Sequence, residues 1–140
     1  MSEVLFDTNL LVYAFDASEP PKHRIAKKLV FSVFDGEIEG AVTNQILAEF
    51  CAVVMHKIEK PLTAEQAQKI IRVVLRSPNW HKLNYTGETL LRALTLSSGG
   101  LAFWDAVLVA TAAEHNVREI WSEDQQLAAA PGIRVRNPFK

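Results

Sequence analysis

The sequence predicts an α/β fold in which about five mainly parallel strands form a central sheet between layers of helices. Short apolar runs alternate along the chain with longer amphipathic segments, as strand–helix–strand units require. The connections between these segments are short, so helical crossovers join successive strands and leave them parallel. The chain has 140 residues, of which 49% are hydrophobic and 22% charged. That length and composition suit one globular domain, and we expect residues 1–140 to form it.

In the N-terminal half, apolar runs of three residues indicate buried strands, and apolar spacings of three and four indicate helices. The double proline at residues 20–21 suits a helix start, and Thr43 or Asn44 can cap the helix after the second strand. The predicted elements, in order, are strand 4–6, helix 10–15, helix 22–34, strand 41–43 and a helix through about residue 58.

In the C-terminal half, Thr63 and Gln66 form a capping-box signature, and Thr86 can cap a second helix. The Ser-Ser-Gly-Gly segment at residues 97–100 predicts a hinge-like loop before a strongly apolar helix. The predicted elements, in order, are helix 63–75, strand 80–85, helix 86–96, helix 102–115, strand 119–122 and strand 133–135.

Charge and composition exclude several classes of protein. The net charge of −1 argues against a basic protein that wraps nucleic acid. The single cysteine, Cys51, rules out an internal disulfide and fits a reducing compartment. The apolar start of the chain lacks a basic segment and a cleavage site, and no stretch reaches the roughly 18 apolar residues of a membrane span. We therefore expect a cytoplasmic protein without a membrane anchor.

Four carboxylates stand in apolar surroundings. Asp7 directly follows the first strand, Glu49 and Asp105 lie in apolar helical segments, and Asp124 follows the fourth strand. In parallel sheets, ligands bind beyond the carboxyl ends of the strands. Burying ionised carboxylates without partners costs several kcal/mol, and a divalent cation would offset that cost. Oxygen ligands favour Mg²⁺ or Mn²⁺ over zinc, for which the chain has no Cys/His cluster.

Each carboxylate also has a purely structural interpretation. Asp7 and Asp124 suit caps of the helical segments that follow them, and Asp105 suits the N-cap of a helix beginning at Ala106. Glu49 suits a half-buried helix surface. The case for a metal site therefore rests on the four residues together.

The same positions and their neighbours carry a family resemblance. The relevant segments, in order, are Val4–Tyr13 (VLFDTNLLVY), Leu47–Phe50 (LAEF), Leu101–Ala106 (LAFWDA), Ser122–Gln125 (SEDQ) and Asn137–Phe139 (NPF). With these, nearly the whole chain resembles the PIN-domain family, and within it the VapC-type ribonuclease toxins of type II toxin–antitoxin pairs. D-T-N alone is a weak signal, whereas a carboxylate in each of four ordered segments is a strong one.

The resemblance implies a three-layer α/β/α PIN-like fold and an acidic pocket for one or two Mg²⁺ or Mn²⁺ ions. It implies an endoribonuclease that hydrolyses RNA phosphodiester bonds, forms a homodimer and pairs with a small antitoxin that occludes the acidic pocket. The family's catalytic and metal-binding positions are matched by Asp7, Glu49, Asp105 and Asp124. Its supporting polar positions are matched by Thr8, Asn9 and Ser122, although many relatives have threonine in place of Ser122.

Other functions remain as alternatives. A haloacid-dehalogenase-type phosphatase needs a second carboxylate two residues after Asp7, where this chain has Asn9. A phospho-accepting receiver domain needs an acidic pair after the first strand. A housekeeping RNA-processing nuclease and a catalytically inactive binding module both stay open within the PIN family.

Two further groups of residues have alternative roles in RNA binding. The cations at the start of the second helix suit an RNA contact, although a solvated helix face is the favoured interpretation; they are Lys22, Arg24, Lys27 and Lys28. The tryptophans suit base stacking, although we expect core positions for all of them. They are Trp80, Trp104 and Trp121.

Overall fold

A computed structural model describes residues 3–140, and it has the three-layer α/β/α arrangement that the sequence predicts. Five strands form one sheet, and every pairing in it is parallel. The strands are β1 (Val4–Phe6), β2 (Gly40–Thr43), β3 (Trp80–Leu83), β4 (Glu119–Trp121) and β5 (Arg134–Arg136). All five predicted strands are confirmed, and their ends differ from the prediction by at most two residues.

The described residues also form six α-helices and one short 3₁₀ helix at Gln125–Ala129. The α-helices are α1 (Thr8–Phe15), α2 (Pro20–Phe34), α3 (Asn44–His56), α4 (Ala64–Arg76), α5 (Gly87–Ser98) and α6 (Phe103–Glu114). Between residues 3 and 140, none of these helices has both the length and the apolar character that crossing a membrane requires.

Helix boundaries follow the capping residues more closely than the apolar pattern. The Thr43 hydroxyl accepts a hydrogen bond from the Ile46 amide, and Thr63 and Gln66 form the predicted capping box. The prolines at 20–21 occupy the first turn of α2, so that helix begins two residues earlier than predicted. The predicted hinge-like loop at residues 97–100 is shorter than expected, because α5 continues through Ser98.

Strand order places two chain segments side by side at the centre of the sheet. The order of the strands is β3-β2-β1-β4-β5. The chain adds β2 and β3 on one side of β1 and then crosses over to add β4 and β5 on the other side. This reversal opens a crevice at the carboxyl ends of β1 and β4, where parallel sheets bind ligands. Phe6 pairs with Trp121, and the residues that follow them, Asp7 and Ser122, therefore emerge next to each other.

Aromatic side chains fill the core beneath this crevice. The Phe6 ring centroid lies 5.0 Å from that of Trp80 and 5.4 Å from that of Trp121. Trp80 and Trp121 are buried, which confirms the core positions predicted for them. The same prediction is wrong for Trp104, whose surface is 53% exposed. It lies in the first turn of α6.

Gly40 at the start of β2 provides a test of this packing. An added Cβ would lie 2.8 Å from both methyl groups of Val33 and 3.0 Å from the Trp80 ring. We expect Gly40→Ala to lower the free energy of unfolding by about 1–3 kcal/mol, because neither neighbour can move away freely. Urea denaturation followed by circular dichroism measures the change.

Gly87 is the matched control, because nothing lies within 4 Å of a Cβ added there. Gly87→Ala at the start of α5 should leave stability unchanged or raise it slightly, since alanine restricts the unfolded chain. Equal losses in the two variants would contradict the packing argument.

Candidate metal centre

Asp7 lies at the point where β1 ends and α1 begins. Its Oδ1 accepts a hydrogen bond of 2.8 Å from the Thr8 amide, and its Oδ2 accepts one of 2.6 Å from the Ser122 hydroxyl. Asp7 thus caps α1, as its structural interpretation predicts, and is also tied to the end of β4. Burial raises the pKa of the Asp7 carboxyl, both hydrogen bonds oppose that rise, and the charge of Asp124 adds to it.

Ser122 connects Asp7 to the loop after β4. The Ser122 side chain is buried, and its hydroxyl accepts a hydrogen bond of 2.9 Å from the Asp124 amide while it donates to Asp7. The Ser122 amide donates to the Arg136 carbonyl on β5, which fixes the serine to the sheet. One hydroxyl therefore sets the positions of two acidic segments.

Asp124 caps the 3₁₀ helix that follows it. Its Oδ1 accepts a hydrogen bond of 3.0 Å from the Gln126 amide. The predicted capping role is confirmed, and the second carboxylate oxygen, Oδ2, is not the atom used in this bond.

Asp105 is the third residue of α6, and Ala102 occupies the N-cap. The interpretation of Asp105 as the N-cap of a helix beginning at Ala106 is therefore wrong. The pKa of the Asp105 carboxyl is raised to about 6, first by burial and then by repulsion from Asp124, Asp7 and Glu49. Among the four carboxylates, Asp105 is the one whose pKa is raised by repulsion from all three of the others.

Glu49 lies on the exposed surface of α3, more open to solvent than its apolar sequence neighbours predict. Partial desolvation raises the pKa of the Glu49 carboxyl, the Gln45 side chain lowers it, and the charge of Asp7 raises it further. This coupling to Asp7 places Glu49 at the edge of the same acidic group.

The structure therefore brings the four predicted carboxylates into one electrostatically coupled group. Among the predicted supporting residues, Thr8 contributes its amide to Asp7 and Ser122 contributes its hydroxyl. Asn9 lies exposed in the first turn of α1.

The donor atoms of this group fit a hard divalent cation such as Mg²⁺ or Mn²⁺, because all of them are oxygens. Mutual repulsion among the carboxylates also favours a cation, which would offset it. The four carboxylate side chains are spaced more widely than the ligands of a closed metal site. Within residues 3–140, no three His, Cys, Asp or Glu side chains are grouped closely enough in this conformation to hold an ion.

Sequence reasoning missed an ion pair beside this group. The Lys22 ammonium on α2 donates to the Glu123 carboxylate and to the Tyr13 hydroxyl, and it lies 5.1 Å from the centroid of the Tyr13 ring. Glu123 precedes Asp124, so the pair links α2 to the loop that carries the acidic residue. Only the fold brings these segments together. Arg24, Lys27 and Lys28 are exposed, as the solvated-face interpretation predicts for them.

Gln45 is a second contact that sequence reasoning missed. Its side chain is buried, and its amide nitrogen donates a hydrogen bond of 3.1 Å to the Trp104 carbonyl. This bond joins the first turn of α3 to the first turn of α6, one residue before Asp105. A polar residue one helical turn before Glu49, in an otherwise apolar segment, is the signal that points to it.

The sequence model of the PIN domain matches residues 4–133. The chain belongs to the PIN domain family. No curated protein has a sequence that matches it significantly. Solved structures of the same fold cover nearly all of this chain, and the family's fold therefore extends over its whole sheet and every helix that carries a candidate carboxylate.

Three of these structures illustrate the likeness, and they include a toxin and a toxin–antitoxin complex. VapC20 of Mycobacterium tuberculosis, a sarcin–ricin loop cleaving toxin, shares 16% identity, with a TM-score of 0.72 over 96% of this chain and 99% of that one. FitAcB from Neisseria gonorrhoeae shares 18% identity, with a TM-score of 0.68 over 97% and 98%. A toxin–antitoxin complex from Klebsiella pneumoniae shares 21% identity, with a TM-score of 0.63 over 96% and 97%.

Repulsion at Asp105 predicts a distinctive pH dependence of stability in the metal-free protein. Because its pKa is about 6 in the folded state against an ordinary value of 3.8, folding disfavours the charged form. The resulting loss of folding free energy is absent at pH values below the unfolded-state pKa. It reaches its full size at pH values above the folded-state pKa. We expect Asp105→Asn to gain stability over the wild type as pH rises through this window, by on the order of 1 kcal/mol after solvent screening.

Urea denaturation in EDTA across that pH range measures the difference between the two proteins. Asp105→Ala is the control, because it also removes the charge and Asp105 caps no helix. Adding Mg²⁺ at neutral pH should stabilise the wild type more than either variant. A difference that does not change with pH, together with no effect of Mg²⁺, would remove Asp105 from the site.

Proposed function

We propose that this chain is a Mg²⁺- or Mn²⁺-dependent endoribonuclease that hydrolyses RNA phosphodiester bonds as the toxin of a toxin–antitoxin pair. The observation that carries the proposal is the electrostatic coupling of four carboxylates at the switch point of a PIN-domain sheet. Repulsion of this kind is unfavourable for folding, so a purely structural role does not account for it. The full set of four carboxylates also argues against an inactive binding module.

In the proposed site, Asp7, Asp105 and Asp124 are the principal ligands of the divalent cation. When bound, such an ion polarises a phosphoryl oxygen and makes water acidic enough to act as a nucleophile near neutral pH. Ser122 holds Asp7 through its hydroxyl and so keeps the Asp7 carboxylate in a fixed orientation. Glu49, at the exposed edge of the group, accepts a hydrogen bond from the attacking water and so orients it.

The charge balance of the protein with its cations bound supports RNA as the substrate. The chain has 15 basic and 16 acidic residues, so removing the four proposed ligands from the count leaves 12 acidic residues and a surplus of basic ones. Divalent cations offset the charge of the ligands themselves. The loaded protein therefore attracts a polyanion that the metal-free protein repels at its acidic site.

The partners proposed for this chain are a small antitoxin that covers the acidic pocket and a second copy of the chain. The structural neighbours support an antitoxin partner, because one of them is a toxin–antitoxin complex. Exposed apolar side chains on α5, Leu91 and Leu94, support a protein contact such as a homodimer. We propose a cytoplasmic location for a single-domain protein with these partners.

Metal-dependent cleavage of RNA is the direct test of the proposal. The purified protein should cleave structured RNAs with Mg²⁺ or Mn²⁺, EDTA should stop cleavage, and added Mg²⁺ should restore it. Asp7→Asn should lower the cleavage rate by at least about 100-fold, because the divalent cation loses a carboxylate ligand. Gel analysis of a broad panel of RNAs measures these rates.

Glu65→Gln is the control for this test, because Glu65 is an exposed carboxylate in the first turn of α4. It should cleave as the wild type does. Cleavage that survives exhaustive chelation, or that Asp7→Asn leaves intact, would refute the proposed chemistry.

Growth arrest tests the toxin role separately from the chemistry. Induced expression of the wild type should stop the growth of a host that contains the target RNA, whereas Asp7→Asn at the same protein level should not. Plating efficiency and immunoblots measure the two quantities. Equal slowing by both proteins would refute the toxin role and leave an RNA-processing nuclease as the function.

A further inference from the structure

We propose that Trp104, with Tyr85 and Phe103, forms an aromatic platform on which a base of single-stranded RNA stacks beside the acidic centre. We call these three residues the aromatic platform. The inference rests on the proposed function, since it names the part of the substrate that the neighbouring surface binds.

Exposure of Trp104 is the first observation. Its surface is 53% exposed, whereas Trp80 and Trp121 are 1% and 8% exposed. Exposing a large aromatic side chain forgoes the stabilisation that its burial provides. Asp105 is the next residue, so the turn of α6 that carries this exposed ring also carries one of the four carboxylates.

Aromatic neighbours surround Trp104 on its protein side. Its ring centroid lies 5.4 Å from that of Phe103 and 6.3 Å from that of Tyr85, and both pairs pack edge to face. Edge-to-face packing is a favourable arrangement for aromatic pairs, and it restricts the motion of the indole. The Trp104 side chain is thus supported by the protein while half of its surface stays open.

Hydrogen bonds from the start of α3 hold both chain segments of the platform. The Gln45 amide nitrogen donates to the Trp104 carbonyl, and Asn44 Oδ1 accepts a hydrogen bond of 2.9 Å from the Tyr85 amide. Glu49 lies one turn after Gln45 on the same helix. Trp104 and two of the carboxylates, Glu49 and Asp105, therefore lie on two helices, α3 and α6, that the Gln45 hydrogen bond joins.

An RNA base fits this surface better than a phosphate does. The adjacent carboxylates repel phosphate unless cations are bound, so charge alone gives the site little affinity for RNA. Base stacking on an aromatic ring needs no charge, and single-stranded RNA exposes its bases for such contacts. A base stacked on Trp104 would hold a neighbouring phosphodiester near Asp105, and it would favour unpaired RNA over a duplex.

Intrinsic fluorescence tests the platform without requiring cleavage. Trp104 is the exposed indole among the three, so its emission reports on a base stacked there. In EDTA and low salt, a short oligoadenylate should quench the emission in a saturable way. Inorganic polyphosphate, which has the charges but no bases, should not quench it.

Substitutions separate an aromatic contact from a merely apolar one. Trp104→Leu should bind labelled oligoadenylate roughly 5- to 150-fold more weakly, the range measured for removing one stacked base contact. Trp104→Phe should restore most of the affinity. Val73→Ala, at an exposed apolar position on α4, is the control and should bind as the wild type does. Thermal melts confirm that each variant is folded.

The outcomes distinguish this inference from the proposed function. Unchanged RNA affinity in Trp104→Leu, or quenching by polyphosphate alone, overturns the platform even if the protein cleaves RNA. Stacking without any cleavage overturns the nuclease proposal and leaves the platform in place. If Trp104→Leu lowers the oligomeric mass and leaves RNA affinity unchanged, the ring belongs to a protein interface and the platform is overturned.

Discussion

The hydrogen bond from the Ser122 hydroxyl to the Asp7 carboxylate joins the ends of the two central strands. Its geometry depends on the register in which Phe6 pairs with Trp121, because a shift of one residue would turn either side chain to the opposite face. The same hydroxyl accepts from the Asp124 amide, so it also sets the start of the loop after β4. The two segments that carry Asp7 and Asp124 thus both depend on one buried serine.

Gathering carboxylates at this edge has an energetic cost that the rest of the fold must offset. Asp7, Glu49 and Asp105 all have raised pKa values, so ionising each of these carboxyls in the folded, metal-free protein costs free energy. The offset comes from the strands beneath, of which β1 and β2 are short but buried along their whole length. Natural proteins often concentrate unfavourable interactions at functional sites and stabilise the remainder.

Local signals in the sequence account for much of the fold, because several helices carry their own capping residues. The caps at Thr43, Thr63 and Thr86 act over three residues, and all of them form as predicted. Contacts such as Lys22 with Glu123 join residues about 100 positions apart, and no local pattern encodes such a pairing. Exposure is equally non-local: Trp104 and Trp121 sit in similarly apolar segments, yet only the packing of the layers decides which ring is covered.

A capping role and a role in the acidic group are compatible for one carboxylate. Asp7 uses Oδ1 to cap α1 and Oδ2 to accept from Ser122, and Asp124 caps a 3₁₀ helix while its charge raises the pKa of Asp7. The caps fix the rotamers of these two residues and so reduce the conformational entropy that binding a ligand would cost. Asp105 differs, because it lies inside the first turn of α6 and caps nothing. Every contact that shifts its pKa raises it, including a side-chain hydrogen bond with Asp124, so a purely structural account leaves its presence unexplained.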